Sequence, residues 1–160
     1  MFVIGDRIAH PVHGAGIIEA VSERVVDGIR RSYYLVRIPY NGMTVMIPCE
    51  NTGDVGVRPI MDDRQAKVFL LSIPGIPVED AENWNRRYRE NVIRLKSGDL
   101  RQVCAVFKGL VLRNRDKGLS NGERRLLAIA KQIVYSELML ASSIDHDEAE
   151  KLVMEMMITK

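Results

Sequence analysis

The sequence predicts an α+β protein, a small SH3- or Tudor-like β-barrel at the amino terminus followed by a compact all-helical carboxy-terminal domain. Three observations predict it. Over the first 60 positions short β-branched runs are punctuated by Gly and Pro, which cannot propagate a helix. After Pro59 the apolar residues recur every three or four positions, the spacing of a helix face. Between the first helical run and the rest stands Ser72-Ile73-Pro74-Gly75-Ile76-Pro77, where each Pro removes a donor and restricts the residue before it. A chain of 160 residues can bury one moderate core or two small ones. The pattern divides it into a β module at 1–60, a short helix and Pro-containing linker at 61–82, and a helical domain at 83–160.

Strands are expected near Arg7 to His10, Gly16 to Val25, Arg30 to Ile38 and Met43 to Pro48, with a last short one near Val57. Asp27-Gly28 and Asn41-Gly42 fall between extended segments, and both pairs tolerate the positive φ angles of tight hairpins. Two hairpins in sequence make a meander, and five strands in 60 residues suggest a strongly bent small barrel. Such barrels often keep an edge that can accept a partner strand.

Asp63 to Leu71 is expected as a short helix with Ala66, Phe69 and Leu70 on one side. Trp84 to Leu95 follows the linker, with Trp84, Tyr88, Val92 and Leu95 on one stripe and arginines elsewhere. Ser97-Gly98-Asp99 closes that helix and caps the next, whose Leu100, Val103, Cys104, Phe107, Leu110 and Val111 form a core stripe. Ser120 and Glu123 have the spacing of a capping box. A long helix starts there, with Leu126, Leu127, Ala130, Ile133, Val134, Leu138 and Ala141 inward, and ends around Ser142. Asp145 and Glu148 repeat the capping spacing and open a final helix that buries Leu152, Val153, Met156 and Met157.

Apolar runs fall far short of the ~20 residues that cross a bilayer, and the amino terminus MFVIGDRIAH lacks the pattern of a secretory signal. A soluble, cytoplasmic protein is expected. Cys49 and Cys104 stand alone, without a CxxC, so both are expected as small buried residues rather than zinc ligands or a disulfide. His10 and His13 sit in a Pro- and Gly-rich turn, and His146 lies far off in an acidic cap. No nucleophile, metal cluster or dinucleotide fingerprint is assembled from these residues. Catalytic residues, metal and cofactor are therefore expected to be absent.

The net charge of +2 hides a segregation. Residues 1–83 carry 8 Lys/Arg and 11 Asp/Glu, net −3; residues 84–132 carry 13 and 4, net +9; residues 133–160 carry 2 and 6, net −4. A basic segment between acidic ones suits a phosphate-facing surface whose other faces repel nucleic acid, although charge runs are also simply solvated helix faces. Trp84, the sole tryptophan, opens the helix bearing Arg86, Arg87 and Arg89. A lone Trp at a helix start is commonly a packing anchor. A large aromatic flanked by guanidiniums also meets the requirement of a minor-groove wedge, because the ring can enter an opened base step while the cations hold phosphates. Unstacking costs a few kcal/mol, so distorted DNA is the better target. Arg124 and Arg125 lie in the first turn of the long helix, where free amides already favour an anion. Arg113, Arg115 and Lys117 are expected to be exposed.

Four stretches, GDRIAHPVHGAGIIEAV, IPCENTGDVGVRPI, NWNRRYRENVIRLKSGDL and RDKGLSNGERRLLAIAKQIVYSELMLA, carry a resemblance, over nearly the whole chain, to the CarD/CdnL family of bacterial RNA polymerase-binding regulators. The first is also similar to the polymerase-interaction domain of transcription-repair coupling factors. The resemblance implies that the β module binds the polymerase β subunit and that the helical domain reaches promoter DNA at the upstream edge of the melting bubble. It matches Trp84 to the family's wedge tryptophan, Arg86, Arg89 and Arg124 to basic positions near DNA, and Arg24 to a polymerase-contacting arginine. Met46 stands where some members carry a second arginine, which changes one polar contact at that interface. A module that tethers to polymerase without touching DNA is the rival reading.

Overall fold

The computed structural model describes residues 1–79 and 81–158. Strands β1 (Arg7–His10), β2 (Gly14–Val26), β3 (Ile29–Ile38), β4 (Met43–Pro48) and β5 (Arg58–Pro59) form one antiparallel sheet in the order β4-β3-β2-β1-β5. A short helix α1, Thr52–Val55, precedes β5. Asp27 and Gly28 have φ of 53° and 76°, the pair of positive values that lets a two-residue turn follow the twist of its strands. The second turn is longer than expected. Of Asn41 and Gly42 only the glycine has positive φ, and both amides donate to the Ile38 carbonyl, so residues 39–42 together bridge β3 and β4. A register shift between Ile18 and Ala20 marks a bulge in β2, which bends the strand. Ile8, Ile18, Tyr34, Val36, Ile47 and Val57 form the small core beneath.

The helices are α2 (Asp63–Ser72), α3 (Trp84–Leu95), α4 (Leu100–Asp116), α5 (Asn121–Ser142) and α6 (His146–Ile158). Side-chain caps set their starts: Asn83 accepts from the Arg86 amide, Asp99 from Arg101, and Ser120 with Glu123 completes the capping box of α5. Ser143, with φ of 53°, ends α5. Ala130, Val134 and Leu138 of α5 pack with Cys104, Phe107 and Leu110 of α4 and Val153 of α6. No single helix among the described residues is long and apolar enough to cross a membrane.

The Pro-containing stretch is packed rather than free. It forms a 3₁₀ turn, Ile73–Gly75, with Ile73 and Ile76 in the helical core. The Lys108 ammonium, buried on α4, donates to the carbonyls of Ile73, Pro74 and Ile76 at 3.0, 2.9 and 3.1 Å. The Ile76 amide also donates to the Ile73 carbonyl, and the cation gives these carbonyls a donor where Pro77 has no N–H to offer.

The sheet docks on α5 through polar bonds. Both guanidinium Nη atoms of Arg58 donate to the two carboxylate oxygens of Glu137 at 2.8 Å, and Glu137 is 1% exposed. The Met61 amide also donates to Glu137, the Ala15 amide to Ser136 Oγ, Gln132 to the His13 carbonyl, and Arg7 to the Leu140 carbonyl. Gly14 has φ of 85°, and a Cβ there would strike Ser136 Oγ. Only glycine fits this approach of strand to helix.

Candidate nucleic-acid interface

Asn83 turns the chain into α3, so that Trp84 is its first helical residue. The indole stacks on Tyr88 one turn later, with centroids 5.0 Å apart and planes 16° apart. Its Nε1–H donates to Ser120 Oγ at 3.2 Å, which brings the start of α3 beside the start of α5. Trp84 remains 42% exposed. One edge and one face are therefore held, and the remainder of the ring faces solvent.

Four of the expected DNA-facing arginines are exposed side chains on the two helices whose starts meet at Trp84. Arg86 and Arg89 lie on α3, and Arg124 and Arg125 follow Ser120 within the first turn of α5. Arg86 is held loosely by Glu90 at 3.0 Å, with both side chains open to water. Such a pair contributes little and is readily exchanged for a phosphate.

Arg87 is a correction. It was expected among the DNA-facing residues, and it is instead 5% exposed. Its Nε donates to Glu123 Oε2 at 3.0 Å and its Nη1 to the Ala81 carbonyl at 2.8 Å. A guanidinium is buried at tolerable cost only with such a counter-charge, so Arg87 serves the fold. Burial alone would push the Glu123 carboxyl up, but Arg87 and the Ser120 bonds outweigh it and hold Glu123 below the usual carboxylate range. Arg113 is a second departure from the exposed placement expected, because its Nε approaches Glu123 Oε2 at 3.8 Å and its side chain is largely covered. Arg115 and Lys117 are exposed as expected.

In the sheet, Arg24 is exposed on the β2–β3 arm opposite Arg31. Met46 is exposed on β4 opposite Leu35, which in turn faces Ala20. Ala20 and Arg24 are four residues apart on one strand, so Arg24 and Met46 share the outer face. β4 is also an edge of the sheet.

The titratable groups elsewhere are arranged for structure. His10 and His13 do meet, with ring centroids 4.6 Å apart, but His10 Nδ1 is occupied in accepting the amides of Val12 and His13. Burial, helped by the neighbouring His13, pushes His10 down to about 4. Cys104 is buried as expected, and burial pushes its thiol up to about 12, while Cys49 is only half-buried. His146, Asp147 and Glu150 place one ligand atom each within 4.8 Å of one another, a grouping the sequence reading did not weigh. Asp147 is exposed and Glu150 half-buried, and both pair with the imidazole at the helix start when it is protonated.

Sequence reasoning found Ser120 and Glu123 only as a helix start. Their contact with Trp84 and Arg87, across 36 positions, depends on how α3 packs on α5, and local spacing carries no signal for that.

The model of the CarD-like/TRCF RID domain matches residues 2–61, and that of the CarD C-terminal domain matches residues 71–154. The chain is similar to the YdeB protein of Bacillus subtilis (strain 168), whose name presents it as a candidate transcription factor. Identity is 32% over 144 residues, covering 90% of this chain and 94% of that protein. With both halves of the family's architecture present in order and on one chain, this protein belongs to the CarD/CdnL family of bacterial RNA polymerase-binding transcription regulators.

Proposed function

We propose that the protein binds the RNA polymerase β subunit through its sheet and stabilises the open promoter complex by wedging Trp84 into the minor groove at the upstream edge of the bubble. The carrying observation is the half-exposed, pre-stacked indole at the meeting of two helix starts, with exposed Arg86 and Arg89 on one helix and Arg124 and Arg125 on the other. An apolar ring can enter an unstacked base step while guanidiniums hold the flanking phosphates. Polymerase has already begun to open the DNA, so the wedge need not meet the whole unstacking cost. Such contacts carry little base information, and affinity for free duplex should be weak. On this reading the protein works in the cytoplasm, at the nucleoid through polymerase.

The free edge of β4 supports a partner strand added to the sheet, with Arg24 offering a charge and Met46 an apolar contact on the adjoining face. The rival reading, a tether without DNA contact, is favoured by one observation: the Ser120 bond and Tyr88 stack are also what a structural anchor would make. 2-Aminopurine placed in promoter DNA at the upstream bubble edge separates the two. Wild-type protein should raise its emission with polymerase present, Trp84→Ala should not, and Arg24→Glu should lose polymerase binding and with it the signal. Equal emission with wild type and Trp84→Ala would favour the tether.

A further inference from the structure

Capping α5 needs one bond from the Ser120 hydroxyl, and that hydroxyl makes three. Its Oγ accepts from the Glu123 amide, which is the cap, and from the Trp84 indole N–H, and it donates to Glu123 Oε1, each at 3.2 Å. A hydroxyl has one proton and two acceptor sites, so its capacity is filled. Glu123 continues the chain of bonds to Arg87, and Arg87 to the Ala81 carbonyl just ahead of α3. The entry to α3, its first residue and the first turn of α5 are thereby joined. Gly122 lets the ring pair sit low on α5, since a Cβ there would come within 3.1 Å of Tyr88 Cε2 and 3.7 Å of Trp84 Cζ2.

We propose that Ser120 is a positioning residue for Trp84, its hydroxyl fixing the rotation of the indole so that one exposed edge is presented before DNA is met. The functional consequence rests on the wedge reading above. An unheld surface aromatic samples several rotamers, and ordering it only at the moment of insertion should weaken the DNA contact roughly 2- to 10-fold.

Trp84 is the sole tryptophan, so its emission reports on this ring alone in the full-length protein. Ser120→Gly suits the test, because glycine caps a helix almost as well as serine yet offers the indole no acceptor, while Ser120→Thr keeps the acceptor. Ser120→Gly should speed the fluorescence anisotropy decay of Trp84, leave the urea midpoint close to wild type and shorten the open-complex lifetime about 2- to 10-fold. Ser120→Thr should restore both the decay and the lifetime. In a Trp84→Phe background, which keeps a ring and lacks the N–H, Ser120→Gly should shorten the lifetime no further. An unchanged anisotropy decay in Ser120→Gly, or a full additional loss in the Phe background, would overturn the proposal. An unchanged lifetime in Trp84→Ala would sink the wedge reading alone, and the anisotropy decay would still decide whether Ser120 holds the ring.

Discussion

Glu123 illustrates how one carboxylate sets the local electrostatics of the proposed interface. It is 2% exposed and faces Arg87 and Arg113, so Glu123→Gln takes from the buried Arg87 guanidinium the carboxylate that pairs with it. Breaking such a pair costs about 3–5 kcal/mol, and thermal unfolding should show that loss at neutral pH. The carboxyl is held below its ordinary range, so its contribution is present above the unfolded value of about 4.3. It is lost as pH falls through the lower folded value, and the gap between wild type and variant should close there. His10 behaves in the same direction for a different reason. Its folded value is lowered to about 4, so stability is complete above the ordinary histidine value of about 6.5 and declines as pH falls from there towards 4. His10→Asn keeps an acceptor for the two amides without titrating, and urea midpoints should then lose that slope. An unaltered slope would show that another group is responsible. At this scale the sequence singled out Trp84 and its exposed arginines. It misplaced Arg87 because burial of a guanidinium is sensible only when Glu123, 36 positions away, is known to face it.

The helical elements were legible because their ends are written in side chains: Asn83, Asp99 and Ser120 begin helices where capping chemistry requires. The Asp27-Gly28 turn was legible for a similar local reason. Long-range pairings were not. The Lys108 ammonium over the Pro-containing turn and the docking of the β1–β2 turn on α5 join residues that share no spacing. Gly14 tests the docking. Gly14→Ala meets both an unfavourable φ of 85° and Ser136, with the Gln132 carbonyl 3.1 Å away, whereas Gly28→Ala meets a φ of 76° in open space. Left-handed backbone costs an alanine roughly 1–2 kcal/mol, so Gly28→Ala should lose about that much and Gly14→Ala clearly more. Equal losses in urea unfolding would mean that the strand and helix are not closely packed at this point.

For the whole molecule, the alternation of acidic, basic and acidic segments and the four family-like stretches indicated two modules with different partners. How the modules sit together had to come from the structure. Arg58 and Glu137 clamp the end of the sheet to α5, and a sheet bound to polymerase would therefore carry Trp84 to a fixed place rather than on a loose tether. Wild-type protein should accordingly melt in one calorimetric transition. Glu137→Ala, which strands Arg58 and the Met61 amide, should lower the midpoint by several degrees and broaden or split the transition. The central claim, that Trp84 acts on opened DNA, is tested most directly by the lifetime of competitor-challenged open complexes formed with saturating wild-type or Trp84→Ala protein. Stacking on a base is worth about 1–3 kcal/mol, so Trp84→Ala should shorten the lifetime roughly 5-fold or more while binding polymerase equally well. Equal lifetimes at equal polymerase occupancy would contradict the account.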